Sequence, residues 1–384
     1  MSSTKINVGD HFIMKRRHFQ QLIDRLYESG YKVIGPTHRH DAVIYDEISA
    51  VDQLPVGWVN EQGSGTYQLK KGTEGMLFGY STSPSSWKRF LFPPEIRLWK
   101  ATIPGEIIQV IQEKGNQVKY AFLGVRSCEL HALGVHDRIF SDGQYQDHNY
   151  STLRKNCFIV AVNCIEPGNN CFCASTGTGP SVKGGFDLCM TEITDNEQHY
   201  FVVEVGSKRG AKVFSHVPHT VAGKHHLKVV REKEKEAVNK MGRTVDLEDI
   251  NHKLMNNFDH PVWDEIADRC LTCGNCTMIC PTCFCTTVED ETDLTGENAS
   301  RIRKWDSCFS LDFSYIFGGS IRSSPKARYR HWVIHKFSSW LDQFDVGGCV
   351  GCGRCITWCP AGIDITRVLR VIQHSENMVF DKLK

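Results

Sequence analysis

Two copies of one cysteine pattern lie near the carboxyl end of the chain. Each reads C-x2-C-x2-C-x3-C-P, and the copies begin at Cys270 and Cys349. This is the ligand run of proteins that hold a pair of [4Fe–4S] clusters. Structural zinc also takes C-x2-C pairs, but one ion accepts four ligands and would leave half of these eight cysteines unused. The doubled pattern therefore predicts two clusters and a role in moving electrons.

The spacing also divides the cysteines between the two clusters. Three cysteines spaced C-x2-C-x2-C can wrap one side of a cubane, and in two-cluster ferredoxins the fourth cysteine of each run serves the other cluster. Gly274 and Gly353 let the backbone come close to the sulfides. We therefore expect a first cluster on Cys270, Cys273, Cys276 and Cys359, and a second cluster on Cys349, Cys352, Cys355 and Cys280.

Composition is that of an ordinary globular protein with one exception. The chain has 384 residues and a formal net charge of +1, so it carries no global field that would attract nucleic acid or a membrane surface. Cysteine is the exception, at 17 residues. We find no secretory signal, no apolar run that could cross a membrane and no Walker or G-x-G-x-x-G motif. The cysteines therefore predict metal ligation in a reducing cytoplasm, not disulfides.

The order of predicted helices and strands indicates an α+β protein. Residues 1–205 alternate short apolar strands with helical stretches, so we expect a mixed α/β domain there. Residues 206–259 are rich in alternating charges and predict a charged helical linker. Residues 260–384 hold both cysteine runs, separated by an insert at 281–348 that is rich in aromatic residues. We expect them to form a helical, ferredoxin-like domain with two [4Fe–4S] clusters and a closing helix at 365–373.

Four further cysteines follow predicted strands of the amino-terminal domain. Cys128 and Cys164 each come just after an apolar strand, and Cys171 and Cys173 follow in the next loop. Open sheets place their ligands at the carboxyl ends of strands. Four thiols at such an edge suit a third [4Fe–4S] cluster, a zinc ion or packing as small buried side chains. Their spacing matches no general ligand run, so these alternatives stay open.

The remaining cysteines carry less information. Cys157 and Cys189 lie in apolar strands and are expected to be small buried hydrophobes. Cys283, Cys285 and Cys308 suit extra ligands, redox-active thiols or packing, of which we favour packing.

Several motifs together resemble the iron–sulfur beta subunit of cytoplasmic NAD(P)-linked [NiFe] hydrogenases, also called sulfhydrogenases. Anaerobic sulfite reductase contains a closely related iron–sulfur protein. The resemblance covers roughly residues 15–375. Its motifs are SWKRFLFPP at 86–94, GVRSCE at 124–129, NC at 163–164, CFC at 171–173, CPTCFC at 280–285, WDSC at 305–308, RYR at 328–330 and GCVGCGRC at 348–355.

This resemblance implies a component for electron transfer and not a self-sufficient catalyst. In such complexes a flavoprotein subunit holds FAD and exchanges hydride with NAD(P)H, and the beta subunit is an iron–sulfur relay attached to it. A small iron–sulfur subunit, together with a large nickel–iron subunit, completes the hydrogenase. The family often has proline and aspartate around its first amino-terminal cysteine, where this chain has Ser127 and Glu129. The resemblance also favours the third cluster, held by Cys128, Cys164, Cys171 and Cys173.

The leading hypothesis is thus a relay subunit of a multi-subunit [NiFe] hydrogenase. The alternative is the equivalent subunit of an anaerobic sulfite or polysulfide reductase, which would differ in its partners. A cluster-based redox sensor or scaffold would instead have exposed clusters and no flavoprotein partner. Thiol chemistry at Cys283, Cys285 and Cys308 would need a solvent-accessible thiol of low pKa.

Overall fold

A computed structural model describes residues 6–72, 75–81, 83–103, 107–112, 117–195 and 198–375. Its strands are β1 His11–Lys15, β2 Lys32–Arg39, β3 Ala42–Glu47, β4 Trp58–Gly63, β5 Thr66–Lys71, β6 Glu95–Thr102, β7 Gln109–Gln112, β8 Tyr120–Val125, β9 Phe158–Val162, β10 Leu188–Asp195, β11 Gln198–Val205, β12 Thr220–Val221, β13 Thr286–Thr292, β14 Asn298–Trp305, β15 Tyr315–Ile316 and β16 Gly319–Ser320. Its α-helices are α1 Phe19–Glu28, α2 Lys88–Leu91, α3 Ser127–Phe140, α4 His148–Asn156, α5 Lys208–Phe214, α6 Lys224–Asn239, α7 Ile250–Asn256, α8 Val262–Arg269, α9 Asn275–Met278, α10 Pro325–Ile334, α11 Trp340–Phe344, α12 Arg354–Thr357 and α13 Ile365–Gln373.

An eight-stranded mixed sheet forms the amino-terminal part, in the order β12-β1-β11-β10-β9-β8-β2-β3. Strands β2, β8, β9 and β10 run parallel at its centre. Every residue of β9 is buried, because α1 and α5 cover one face of the sheet and α3 and α4 cover the other. This confirms the sequence prediction of an α/β arrangement with apolar strands covered on both faces. The parallel strands bring the chain segments that follow β8 and β9 to one edge of the sheet.

A second, antiparallel sheet has the order β13-β14-β6-β7 and joins strands from distant parts of the chain. The hairpin of β13 and β14 lies in the insert between the cysteine runs, and β14 pairs with β6. The expectation of a helical insert is therefore wrong for residues 286–305. Thr286, Thr287 and Val288 are β-branched and favour a strand, and Gly296 turns the hairpin at a positive φ. The division into domains at residues 205 and 260 stays a prediction.

Helices build the rest of the carboxyl-terminal part. Helices α7, α8, α10 and α13 bury a core that includes Trp263, Trp332 and Leu369. Helix α13 has the bounds that the sequence predicts, and α8 begins directly after Pro261 and ends at Arg269, one residue before Cys270. None of the helices in the described ranges is long and apolar enough to cross a bilayer.

Two glycines bring the second cysteine run against the amino-terminal part. Gly351 and Gly353 have positive φ angles of 61° and 74°. A Cβ on Gly351 would lie 2.6 Å from the backbone nitrogen of Cys173, and one on Gly353 would meet the carbonyl of Asn170. The N–H of Phe172 donates to the Gly351 carbonyl at 2.8 Å. The two loops therefore touch through their backbones, which only glycine allows here.

The variant Gly351→Ala tests this contact. Its matched control is Gly177→Ala, because Gly177 also has a positive φ, of 69°, but has no atom within 4 Å of the position that a Cβ would take. The control should lose only about 1–2 kcal/mol of stability, from the left-handed backbone. Gly351→Ala should lose clearly more, because its methyl group also pushes the two loops apart. Anaerobic thermal unfolding measures both, and equal losses would contradict the close contact.

Candidate iron–sulfur sites

The first group of predicted ligands comes together at the end of α8. Helix α8 leads into Cys270, and the positive φ angles of Thr272 and Gly274 turn the chain into the short helix α9. Aromatic side chains of the carboxyl-terminal core, among them Tyr329 and Trp332, form one wall of a cavity of about 30 Å³. The other wall of that cavity holds the thiols of Cys270, Cys273, Cys276 and Cys359.

A free thiolate at Cys276 would be destabilised in this cavity. Burial raises the pKa of Cys276 well above its ordinary value, and the neighbouring charges of Cys270 and Cys359 raise it further. A thiolate that bonds iron no longer bears this cost alone, since its charge is shared with the metal. The donor set and the enclosed space therefore fit a cluster.

The second group joins Cys280 from the first cysteine run to three cysteines of the second run. Burial raises the pKa of Cys355 well above its ordinary value, and the charges of Cys349, Cys352 and Cys280 add to the rise. The other three thiols predicted for this cluster therefore lie near enough to Cys355 for their charges to act on it. The charge of Cys276 acts on Cys355 as well, so the two groups are neighbours. The individual ligand roles stay predictions.

The amino-terminal group is also brought together. Cys128 lies in the first turn of α3, Cys164 follows β9, and Cys171 and Cys173 lie in the next loop. The four thiols line one cavity of about 20 Å³, and Cys352 of the second group lines it too. Sequence reasoning placed these cysteines at the carboxyl ends of strands, and the structure adds that their site borders the second group.

A buried cation accompanies this amino-terminal group. The side chain of Arg126 is 3% exposed and lines the same cavity. Its guanidinium donates to the carbonyls of Asn163, Phe78 and Tyr80, at 3.0, 2.6 and 2.9 Å. Its Nε has no hydrogen-bond partner among the described residues. A spare buried donor and a positive charge beside four thiols fit a negatively charged cluster.

The arrangement of the thiols bears on the zinc alternative. Within the described ranges, no group of three or more His, Cys, Asp or Glu side chains could hold a metal ion. Ligands of a single zinc ion converge on one point. The four thiolates of a cubane each bond a different iron and therefore stand further apart. The group that the four amino-terminal thiols hold stays a prediction.

A buried ion pair ties the amino-terminal group to the second group. Glu129 follows Cys128 on α3, Arg354 lies between Cys352 and Cys355 on α12, and their side chains form an ion pair. Both side chains are 1% exposed. The Arg354 guanidinium also donates to the Ser83 carbonyl at 2.7 Å. Arg354, beside the second group, thus neutralises the carboxylate of Glu129, beside the amino-terminal group.

Sequence reasoning missed the buried cations. The cations that are buried beside the cysteine groups are Lys88, Arg126, Lys336 and Arg354. Charged residues are usually exposed, so the sequence gives no sign that these four are buried. Three of them stand within the motifs that carry the family resemblance, and Lys336 does not.

The other cysteines of the insert form pairs. Cys283 lies beside Cys280, and Cys285 lies beside Cys308, each pair within hydrogen-bond reach. The hydrogen bond from Cys308 lowers the pKa of Cys285 to about 7. Cys283 and Cys308 are buried, as packing predicts, and so are Cys157 and Cys189.

Comparisons with known proteins agree with this picture. Residues 269–363 match the family described as a 4Fe-4S dicluster domain, which encloses both cysteine runs. The chain is 31% identical over 360 residues to the sulfhydrogenase 2 subunit beta of Pyrococcus furiosus, a match that covers 92% of this chain and 95% of that protein. No solved structure matches the chain. The dicluster match supports two [4Fe–4S] clusters in this segment.

Removing one partner of the buried ion pair should destabilise the protein strongly. Arg354→Met leaves the Glu129 carboxylate buried without its cation, which typically costs about 3–5 kcal/mol. The double variant Arg354→Met, Glu129→Leu should recover part of this loss, because no unpaired charge remains. Urea unfolding under anaerobic conditions compares the three proteins. A single variant as stable as the unsubstituted protein would contradict the burial of the pair.

Proposed function

The chain belongs to the family of sulfhydrogenase beta subunits, and on that premise we propose that it is the electron relay of a multi-subunit [NiFe] hydrogenase. It passes electrons between a flavoprotein subunit, which holds FAD and oxidises or reduces NAD(P)H, and the hydrogenase module of small iron–sulfur and large nickel–iron subunits. The relative's name, a sulfhydrogenase subunit, supports this reading over a sulfite or polysulfide reductase.

The proposal rests mainly on one observation: the second cysteine group adjoins both of the others. Cys352 belongs to the second group and also lines the cavity of the amino-terminal group. Cys355 of the second group lines the cavity of the first. The second site therefore lies between the other two, and an electron needs only short steps to cross all three.

We assign the ligands as the sequence predicts. The second cluster uses Cys280 from the first run, which ties the two runs to each other. When bound, each cluster takes up or releases one electron and spreads it over its irons, sulfides and thiolates. The ligands are, for the first cluster, Cys270, Cys273, Cys276 and Cys359, for the second, Cys280, Cys349, Cys352 and Cys355, and for the third, Cys128, Cys164, Cys171 and Cys173.

The residues around the sites hold the clusters and control their contact with water. The thiols of the second group are half-buried or buried, and Cys128, Cys171 and Cys173 are buried. Cys273 is exposed, and its neighbour Leu271 is 66% exposed. The first cluster would therefore lie nearest the surface, where one of the partner proteins can approach. We place the protein in the cytoplasm, as its number of cysteines predicts.

The variant Cys352→Ala tests the relay at its central site. It removes one thiolate of the second cluster, so the iron content of the anaerobically purified chain should fall by about four per molecule. In the assembled complex, electron flow between NAD(P)H and the hydrogenase site should stop. Cys157→Ala is the control, because Cys157 is also buried but lies in none of the three groups. Unchanged NAD(P)H-linked turnover in Cys352→Ala would contradict the relay.

A further inference from the structure

Lys336 places a buried ammonium group at the second cluster site. It lies on a π-helical turn, His335–Ser339, between α10 and α11, and it is 2% exposed. Its Nζ donates to the Sγ of Cys280 at 3.3 Å, to the Oγ1 of Thr282 at 3.0 Å and to the carbonyl of Gly348 at 3.1 Å. The three acceptors match the three N–H groups of an ammonium. One of these hydrogen bonds points at a thiol that we assign to the second cluster.

No carboxylate in the described part of the chain balances the charge of Lys336. Within the described ranges no ion pair joins Lys336 to an acidic side chain, and the rings of Trp332 and Trp340 lie 5.9 and 5.7 Å from its Nζ. A buried ammonium without a counter-charge is strongly unfavourable. The groups around Lys336 that can carry a negative charge are the thiols of Cys280, Cys283 and Cys349. The lysine therefore fits a site that becomes negative when its cluster is bound.

We propose that Lys336 sets the reduction potential of the second cluster through its charged hydrogen bond to Cys280. The inference rests on the proposed role of Cys280 as a ligand of that cluster. Net charge, hydrogen bonds to the sulfurs and solvent exposure are the controls on a cluster's potential. A cation that donates to a ligand sulfur stabilises the added electron, so it raises the potential. Reduction of the cluster would add one electron. No covalent bond would form or break, and no proton would be transferred.

The first site offers a contrast within the same chain. Among the described hydrogen bonds to the thiols of Cys270, Cys273, Cys276 and Cys359, none comes from a charged side chain. The backbone N–H of Ile363 donates to the Sγ of Cys359 at 3.4 Å. Loss of the Lys336 ammonium should therefore shift the reduction potential of the second cluster and leave that of the first cluster near its original value.

The test compares three variants of the full chain, purified without oxygen. Lys336→Met removes the charge and the hydrogen bonds but keeps a long side chain. Lys336→Arg keeps the charge. Lys326→Met is the matched control, because Lys326 lies on the preceding helix α10 and pairs with Asp264 at the surface. Iron and acid-labile sulfide are measured first, and each cluster's midpoint potential is then measured by redox titration followed by electron paramagnetic resonance.

We expect Lys336→Met to keep its iron and to shift one midpoint potential to a more negative value. The shifted signal should be the one that Cys352→Ala lacks, which identifies it as the second cluster. Lys336→Arg should stay close to the unsubstituted chain, and Lys326→Met should leave every potential unchanged.

Unchanged potentials in Lys336→Met, at full iron content, would overturn the inference. So would an equal shift of all clusters in Lys336→Met and Lys326→Met, since that would reflect only the net charge. If Lys336→Met does not retain its iron, Lys336→Gln replaces it, with an N–H donor but no charge, and the same two criteria apply. Failure of the ligand assignment is recognised separately, because Cys280→Ala, which has no donor atom at this position, would then keep all of its iron.

Discussion

The burial of negatively charged sulfur is the constraint on which the rest of this structure depends. Cys128, Cys276 and Cys355 each have a pKa that burial raises well above its ordinary value. Thiolates can persist there only with metal and with nearby positive charge. The protein supplies that charge from inside, through the buried side chains of Arg126 and Lys336. These two cations therefore offset part of the negative charge that the buried thiolates would carry.

Charge neutralisation alone does not bring the three cysteine groups together. The path of the backbone does. The parallel strands β8 and β9 deliver Cys128 and Cys164 to one edge of the sheet. Gly351 and Gly353 let the loop of the second cysteine run touch the amino-terminal loop without side chains between them. The hairpin β13–β14 pairs with β6, so the insert between the two runs is itself fixed to the amino-terminal part. Three sites that lie far apart in sequence thereby become neighbours.

The sequence reveals some of these features and conceals others, for physical reasons. The eight cysteines of the two runs are recognisable because cluster geometry demands a fixed local spacing. Helix α13 is recognisable because its apolar face repeats regularly. The hairpin at 286–305 was missed because the nearby aromatic residues suggested helices and the strand pairing is long-range. The burial of Lys336 could not be predicted, because its acceptors Cys280 and Thr282 lie 56 and 54 residues away along the chain.

The most direct test of a three-cluster relay is the content of iron and acid-labile sulfide per chain in protein purified without oxygen. Three clusters predict about twelve of each, with the amino-terminal thiols as part of the electron path. About eight of each would contradict the three-cluster relay. The path would then be confined to the two cysteine runs, and the four amino-terminal cysteines would be zinc ligands or packing residues.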